Sequence, residues 1–309
     1  MAETSSNARE PVLPTSASGP TLQLTPTEQL MYSAVRLANQ MTPTSESWGT
    51  GFLFDLFASK DSRLPVIVTN KHVVENWDQC TFNFAGRLSD GRPDLENHVS
   101  IQMNSFKTRW IPHPEADLVV IPIGPLLNDL AKGGRNPYIV SLVPNLIPTD
   151  DELTQLTPVE QILTVGFPGQ LWDDLHNLPV FHRGYTSTAA YIDFKGKKEF
   201  LIDIATWPGA SGSPVMLYND GPWIDRSGAT NVGGIRAKLL GVVYGVGVQD
   251  VTGKILFQNG PTQIVAPTAT SVPTNLGACV KASRILEFEP LLVSKGLTKP
   301  PAGYTMRAI

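Results

Sequence analysis

From Trp48 onward the chain breaks into about twelve short apolar runs, each closed by glycine, proline or Asn/Asp turn residues. That punctuation limits the fold more than any other feature. The runs fall at 49–57, 65–69, 80–85, 99–103, 117–123, 138–143, 161–166, 185–192, 199–204, 213–218, 236–247 and 254–258. With 26 glycines and 26 prolines among 309 residues, many short strands joined by tight turns are favoured over long helices. Helix-period segments between successive strands, which a parallel βαβ sheet requires, are scarce. The pattern predicts an all-β fold of two antiparallel six-stranded β-barrels, plus N- and C-terminal helices.

The two helices are read from caps and stripes. Thr25-Pro26-Thr27-Glu28 is a helix start with Thr25 as cap and proline in the first turn. Leu30, Met31, Ala34, Val35 and Leu37-Ala38 then form one apolar stripe, which predicts a helix ending near Thr42-Pro43. Val280, Ile285, Leu286 and Leu291-Leu292 predict a second helix over 279–294 that closes against a barrel. Residues 1–24, rich in Ser, Thr, Pro, Ala and Asn, read as a disordered tail. The polar, acidic stretch from Pro144 to Gln161 reads as the connection between barrels. The expected division is therefore a tail over 1–24, a helix and first barrel over 25–145, a second barrel and helix over 146–295, and a tail over 296–309.

Composition excludes several functions. The net charge of −4 and the scattered Lys/Arg offer no basic track for nucleic acid. No stretch approaches the roughly 18 uninterrupted apolar residues of a membrane span. The start Met1-Ala2-Glu3-Thr4-Ser5-Ser6-Asn7 lacks a leader's basic and apolar regions, and Cys80 and Cys279 read as free buried thiols, so a cytoplasmic location is expected. No His/Cys/Asp/Glu cluster has metal-ligand spacing, H-E-x-x-H is absent, and neither metal nor cofactor is expected.

Chemistry concentrates in three places. Gly209-Ala210-Ser211-Gly212-Ser213-Pro214 presents one serine on a glycine-walled turn, where the amides of Gly209 and Ser211 can converge on a developing oxyanion. Val66-Ile67-Val68-Thr69-Asn70-Lys71-His72-Val73-Val74 is an apolar strand that breaks at Thr-Asn and delivers a histidine. Ala116-Asp117-Leu118-Val119-Val120-Ile121 places a carboxylate at the mouth of an aliphatic run that should leave it nearly dry. A histidine can take a hydroxyl proton near neutral pH, and an aspartate can fix its tautomer. The order is His, Asp, Ser, at separations of 45 and 94 residues. An α/β-hydrolase would read G-x-S-x-G with its histidine after the serine; here Ser213 replaces the last glycine and every histidine precedes Ser211. The remaining histidines, His98, His113, His176 and His182, read as surface or hydrogen-bonded loop residues.

Taken together, Gly49-Thr50-Gly51-Phe52, Thr69-Asn70-Lys71-His72-Val73, Ala116-Asp117-Leu118-Val119, Gly166-Phe167-Pro168-Gly169 and the Ser211 hexapeptide resemble the trypsin/chymotrypsin-like serine peptidases. The likeness is nearest to the disulfide-poor bacterial-type domains related to HtrA and glutamyl endopeptidases, and it spans about residues 48–250. It implies a catalytic cleft between the barrels, with His72 as general base, Asp117 as its orienter, Ser211 as nucleophile, the Gly209 and Ser211 amides as oxyanion hole, and a polypeptide as substrate. Ala205, Thr206 and Trp207, with Val243, Tyr244 and Gly245, would wall the specificity pocket. No acid stands there, which implies small or apolar P1 residues.

The chain departs from the family where many members carry an aspartate just before the serine. Ala210 cannot make that ion pair, so activation by an inserted N-terminus is not expected, and competence is either constitutive or set by loop ordering. The C-terminal region is too short for an appended PDZ domain. A second function stays open, a catalytically silent or partner-regulated module that keeps the barrels without turnover, and any activating partner is unknown.

Overall fold

The computed structural model describes residues 24–42, 45–169, 171–205, 207–256, 265–301 and 304–306. The expected tail over 1–24 thus falls, apart from Leu24, outside the described residues. In chain order the first half contains α1 (Pro26–Ser33), β1 (Ala34–Thr42), β2 (Ser45–Leu56), β3 (Leu64–Thr69), α2 (Lys71–Val74), β4 (Gln79–Arg87), β5 (Pro93–Asn104), β6 (Ile111–Pro112), β7 (Val119–Pro122), α3 (Gly124–Lys132) and β8 (Pro137–Tyr138). The second half contains α4 (Asp150–Thr154), β9 (Gln161–Gly166), β10 (Val180–Thr186), β11 (Glu199–Asp203), β12 (Pro214–Asn219), β13 (Trp223–Ile224), β14 (Thr230–Asn231), β15 (Arg236–Leu256), β16 (Val265–Lys281), α5 (Ser283–Leu286) and α6 (Phe288–Ser294).

The fold is all-β, as expected, and its second lobe is a closed six-stranded barrel in the order β10-β11-β16-β15-β12-β9. The first lobe differs from a six-stranded barrel. It is an eight-stranded antiparallel sheet, β5-β4-β1-β2-β3-β7-β6 with β8 beside β4, and its hydrogen-bonded path does not close between β5 and β6. After β5 the chain turns inward. The amide of Phe106 bonds to the Asp78 carbonyl (2.8 Å) and the Phe106 ring is fully buried in the first-lobe core.

The helix expected to run to Thr42 ends at Ser33. Thr25 and Glu28 make the reciprocal capping box, but Ala34 is already extended and the next residues form β1. Val35 and Leu37 are almost completely buried on alternate positions, a period of two that fits a strand as well as the helical stripe did. Similarly, the helix expected over 279–294 begins only at Ser283 and is divided into α5 and α6, because residues up to Lys281 pair with β11 and β15. The run at 185–192 shifts to Val180–Thr186, and most of 138–143 is not strand.

Strand alternation also explains why several runs are apolar throughout. Phe52, Phe54, Val66, Val68, Leu118 and Val120 point to one core, whereas Leu53, Ile67, Val119 and Ile121 on the same strands point into the first lobe. In the second lobe Leu163, Val165, Met216 and Val242 join the former core, and Ile162, Val215, Leu217 and Val243 fill the closed barrel. The shared core also receives Ile285, Leu286, Phe288 and Leu292 of the C-terminal helices. Both lobes therefore bury apolar surface against one another beneath the cleft.

The C-terminal helices are tied to the first lobe by polar bonds as well. Glu289, almost fully buried, accepts from the Phe57 amide (2.7 Å) and the Tyr304 hydroxyl (2.8 Å). Glu287 bonds His113 (2.9 Å) and Arg284 (2.9 Å), with Lys198 close by. Burial alone would raise the Glu287 carboxyl; the bonds from His113 and Arg284 outweigh it and hold the group down at about 2. Because that value lies below the ordinary 4.5, its contribution to stability is complete above pH 4.5 and is lost as pH falls toward 2. Glu287→Gln should destabilise the fold at pH 7 by roughly 1–3 kcal/mol and flatten the acid limb of Tm against pH. Melts followed by circular dichroism across that range check this; an acid limb as steep as the parent's would exclude Glu287 as its source.

Candidate active site

His72 and Asp117 are both carried by the first lobe. β3 ends at Thr69, and Asn70, extended and fully buried, starts the single turn α2. Val74 of that turn is anchored in the first-lobe core, which leaves His72 on the outward side. Asp117 sits just before β7, where Leu118 is fully buried. The Asn70 side chain donates to the Asp117 carbonyl (2.8 Å) and so holds the two segments in register.

The two side chains meet. His72 Nδ1 lies 2.5 Å from Asp117 Oδ2, and the His72 amide donates to Oδ1 (3.0 Å). A carboxylate only accepts, so Nδ1 carries a hydrogen, and in the neutral ring Nε2 is then the nitrogen with the lone pair. Among the described residues nothing bonds Nε2, and the His72 side chain is 44% exposed toward the cleft side of the turn. Asp117 is wetter than expected, its side chain 29% exposed because the mouth of the aliphatic run opens at the surface. Burial pushes its carboxyl up, and the ring and amide bonds from His72 overcome that effect, so it titrates below the usual carboxylate range.

Ser211 is carried by the second lobe, on the turn leading into β12. Gly212 has φ +89°, and a Cβ there would strike the Thr50 carbonyl and lie 2.6 Å from Thr69 Oγ1. The serine turn therefore rests directly on the end of the strand that leads to His72. Thr50 donates its amide to the Ser211 carbonyl (3.0 Å), completing the contact. The Ser211 hydroxyl and His72 are not hydrogen-bonded to each other. Ala210, Gly212 and Ser213 use their amides within the protein, on Trp207, Val243 and Ala210 carbonyls. The amides of Gly209 and Ser211, the two expected to face an oxyanion, have no partner among the described residues.

The expected pocket residues divide. Ala205 and Trp207 are exposed, Trp207 by 52%, and Tyr244 and Gly245 are half-buried. Val243 points into the closed barrel and lends only its backbone, and Thr206 lies outside the described residues. The Tyr244 hydroxyl donates to Glu199 (2.9 Å). A cavity of about 380 Å³ lies elsewhere, between the connection at Ile147–Leu153 and Lys198, Lys281 and Leu286, and holds none of these groups. No group of three potential metal ligands occurs among the described residues.

Sequence reasoning missed three supporting residues. Asn70 and Thr50 were visible within their motifs but carried no assigned role. His113 is a hydrogen-bonded loop histidine, as read, yet is fully buried. Its Nδ1 accepts from the Glu115 and Ala116 amides (3.1 and 2.9 Å), bracing the loop that ends at Asp117.

The backbone at Gly209, with φ +94°, yields a test. A Cβ there would lie 2.6 Å from the Trp48 indole nitrogen and 2.7 Å from the Phe167 carbonyl. Gly209→Ala should turn the Gly209 amide away while leaving both barrels folded. Reaction of Ser211 with an active-site probe should slow by about 10²-fold, with an unchanged far-ultraviolet spectrum; an unaltered rate would show that this amide plays no part.

Comparison with known families places residues 49–224, more than half the chain, in the trypsin-like peptidase domain. Among solved structures, the serine endoprotease from Yersinia pestis is 15% identical, with 88% of this chain and 68% of that chain covered and a TM-score of 0.43. A protease from M. tuberculosis in its active form is 17% identical, covering 97% and 96% at a TM-score of 0.42. Tobacco etch virus protease complexed with substrate is 13% identical, covering 92% and 93% at 0.44. The curated proteins contain no match.

Proposed function

This chain belongs to the trypsin-like peptidase family, and on that premise we propose that it is a serine endopeptidase acting through Ser211, His72 and Asp117. The observation that carries the reading is the His72–Asp117 pair, whose Nε2 is not engaged by any described residue, together with a serine turn that has two unengaged amides. As the Ser211 oxygen attacks a peptide carbonyl, its proton passes to Nε2 and the new oxyanion is received by the Gly209 and Ser211 amides. Asp117 stabilises the imidazolium so formed. The proton then goes to the departing amine, leaving an ester on Ser211, and water repeats the sequence to release the acid. None of these steps draws on a cofactor.

The polypeptide would lie against Trp207, Tyr244 and Gly245, with small or apolar P1 residues preferred because none of these residues is charged and Glu199 beside them is engaged by the Tyr244 hydroxyl. Absence of a bond between Ser211 and His72 is the ordinary state of many empty sites, which tighten when substrate arrives. It also favours, as a second reading, a silent module whose pair closes only on a partner. No helix among the described residues is long and apolar enough to cross a membrane.

A fluorescent fluorophosphonate separates the two. Wild-type protein should label at one serine, and Ser211→Ala should abolish labelling without loss of fold. Equal labelling of that variant would remove Ser211 as nucleophile, and a folded but unlabelled parent would select the silent module. His72→Ala should lower turnover of a peptide library by at least about 10³-fold; a parent-like rate would take His72 out of the reaction.

A further inference from the structure

We propose that Thr50, a first-lobe residue, is the positioning residue that aims the Gly209 and Ser211 amides of the second lobe. The inference rests on the serine peptidase reading above. Its basis is where the carbonyls from 208 to 211 are bonded. The Pro208 carbonyl accepts from the Gly169 amide (2.5 Å), and the Gly209 carbonyl accepts from the Thr50 hydroxyl (2.8 Å). The Ala210 carbonyl accepts from Ser213 (3.0 Å), and the Ser211 carbonyl from the Thr50 amide (3.0 Å). In a trans peptide the N–H points opposite to the carbonyl of the preceding residue. Once the 208 and 210 carbonyls are held, the amides of 209 and 211 must face the other side.

Thr50 bonds neither of those two carbonyls; its hydroxyl and amide hold the 209 and 211 carbonyls, the peptide planes on either side of the Ser211 amide, which limits the rotation left to the plane between them. Its hydroxyl proton goes to the Gly209 carbonyl, and the same oxygen accepts from the Phe167 amide (2.9 Å), a use of donor and lone pair that one hydroxyl can satisfy together. Phe167 belongs to the turn that supplies Gly169, so the hydroxyl also fixes the group that holds Pro208. The Thr50 carbonyl accepts from Thr69 Oγ1 (2.7 Å), at the strand end leading to His72. Thr50 is completely buried, so no water replaces a lost bond, and removing the hydroxyl would orphan the Phe167 amide and the Gly209 carbonyl at once. The hydroxyl touches neither His72 nor Asp117, which confines its effect to the amides.

The test uses full-length Thr50→Val, which keeps the shape and removes the hydroxyl, and Thr50→Ser, which keeps the hydroxyl. Thr50→Ala replaces the valine variant if valine prevents folding. Fluorophosphonate labelling is followed against probe concentration and pH, with melting curves confirming the fold. The valine variant should label about 10- to 100-fold more slowly at saturation. The half-saturating probe concentration and the pH midpoint should not change, and serine should restore the rate to within about threefold. A folded valine variant labelling at the parent rate would overturn the proposal, as would a serine variant as slow as valine, which would mean that packing is the cause. A shifted pH midpoint would overturn it too, by placing the effect on His72. If the parent itself fails to label at Ser211, the peptidase reading falls and takes this inference with it; failure of the variants alone leaves that reading standing.

Discussion

Apolar burial on both faces of the central strands is the constraint from which the rest follows. In β2, β3, β7, β9, β12 and β15, neighbouring residues serve different cores, one inside a lobe and one between lobes. Two sheets each exposing a greasy outer face have to associate, and the C-terminal helices cover what remains. The meeting of the two lobes is consequently built on that shared core. Segments ending at its rim, Thr69-Asn70 from one side and Gly209–Ser213 from the other, are held within a few ångströms by a foundation neither lobe has alone.

Between the two lobes the chemistry is divided unevenly. The imidazole, its carboxylate and the asparagine that aligns them all come from one lobe and are bonded over short distances in space. The serine and its flanking amides come from the other, and their orientation depends on bonds crossing between lobes. Backbone groups cannot choose their direction by side-chain rotation; only the disposal of the neighbouring carbonyls decides it. In the serine turn those carbonyls are all spoken for.

Much of this was legible because the candidate residues stand at the ends of apolar runs, where strand order is easiest to follow. His72, Asp117 and Ser211 were singled out by type, order and flanking pattern, and the structure joins the first two directly. Other features were hidden for physical reasons. Val35 and Leu37 satisfy a helical stripe and a strand alternation equally, and only pairing with β2 decides between them. The inward turn at Phe106, which leaves the first sheet open, depends on a core that a linear pattern does not reveal. Thr50 reaches its acceptor 159 residues away, and His113 its acid 174 residues away; nothing local announces such partners. Tyr244 and Val243 are adjacent on one strand, so pleating sends one to the rim and the other to the barrel interior.

The amide of Gly212 closes on Val243, and the shared core is completed only by residues beyond 280. During vectorial synthesis the imidazole and carboxylate leave the ribosome more than a hundred residues before that closure is possible. A nascent chain thus carries the His72–Asp117 pair before the serine turn has its final supports. On the peptidase reading proposed above, its own unfolded segments, and those of neighbouring polypeptides emerging beside it, would be spared until the last helix docks.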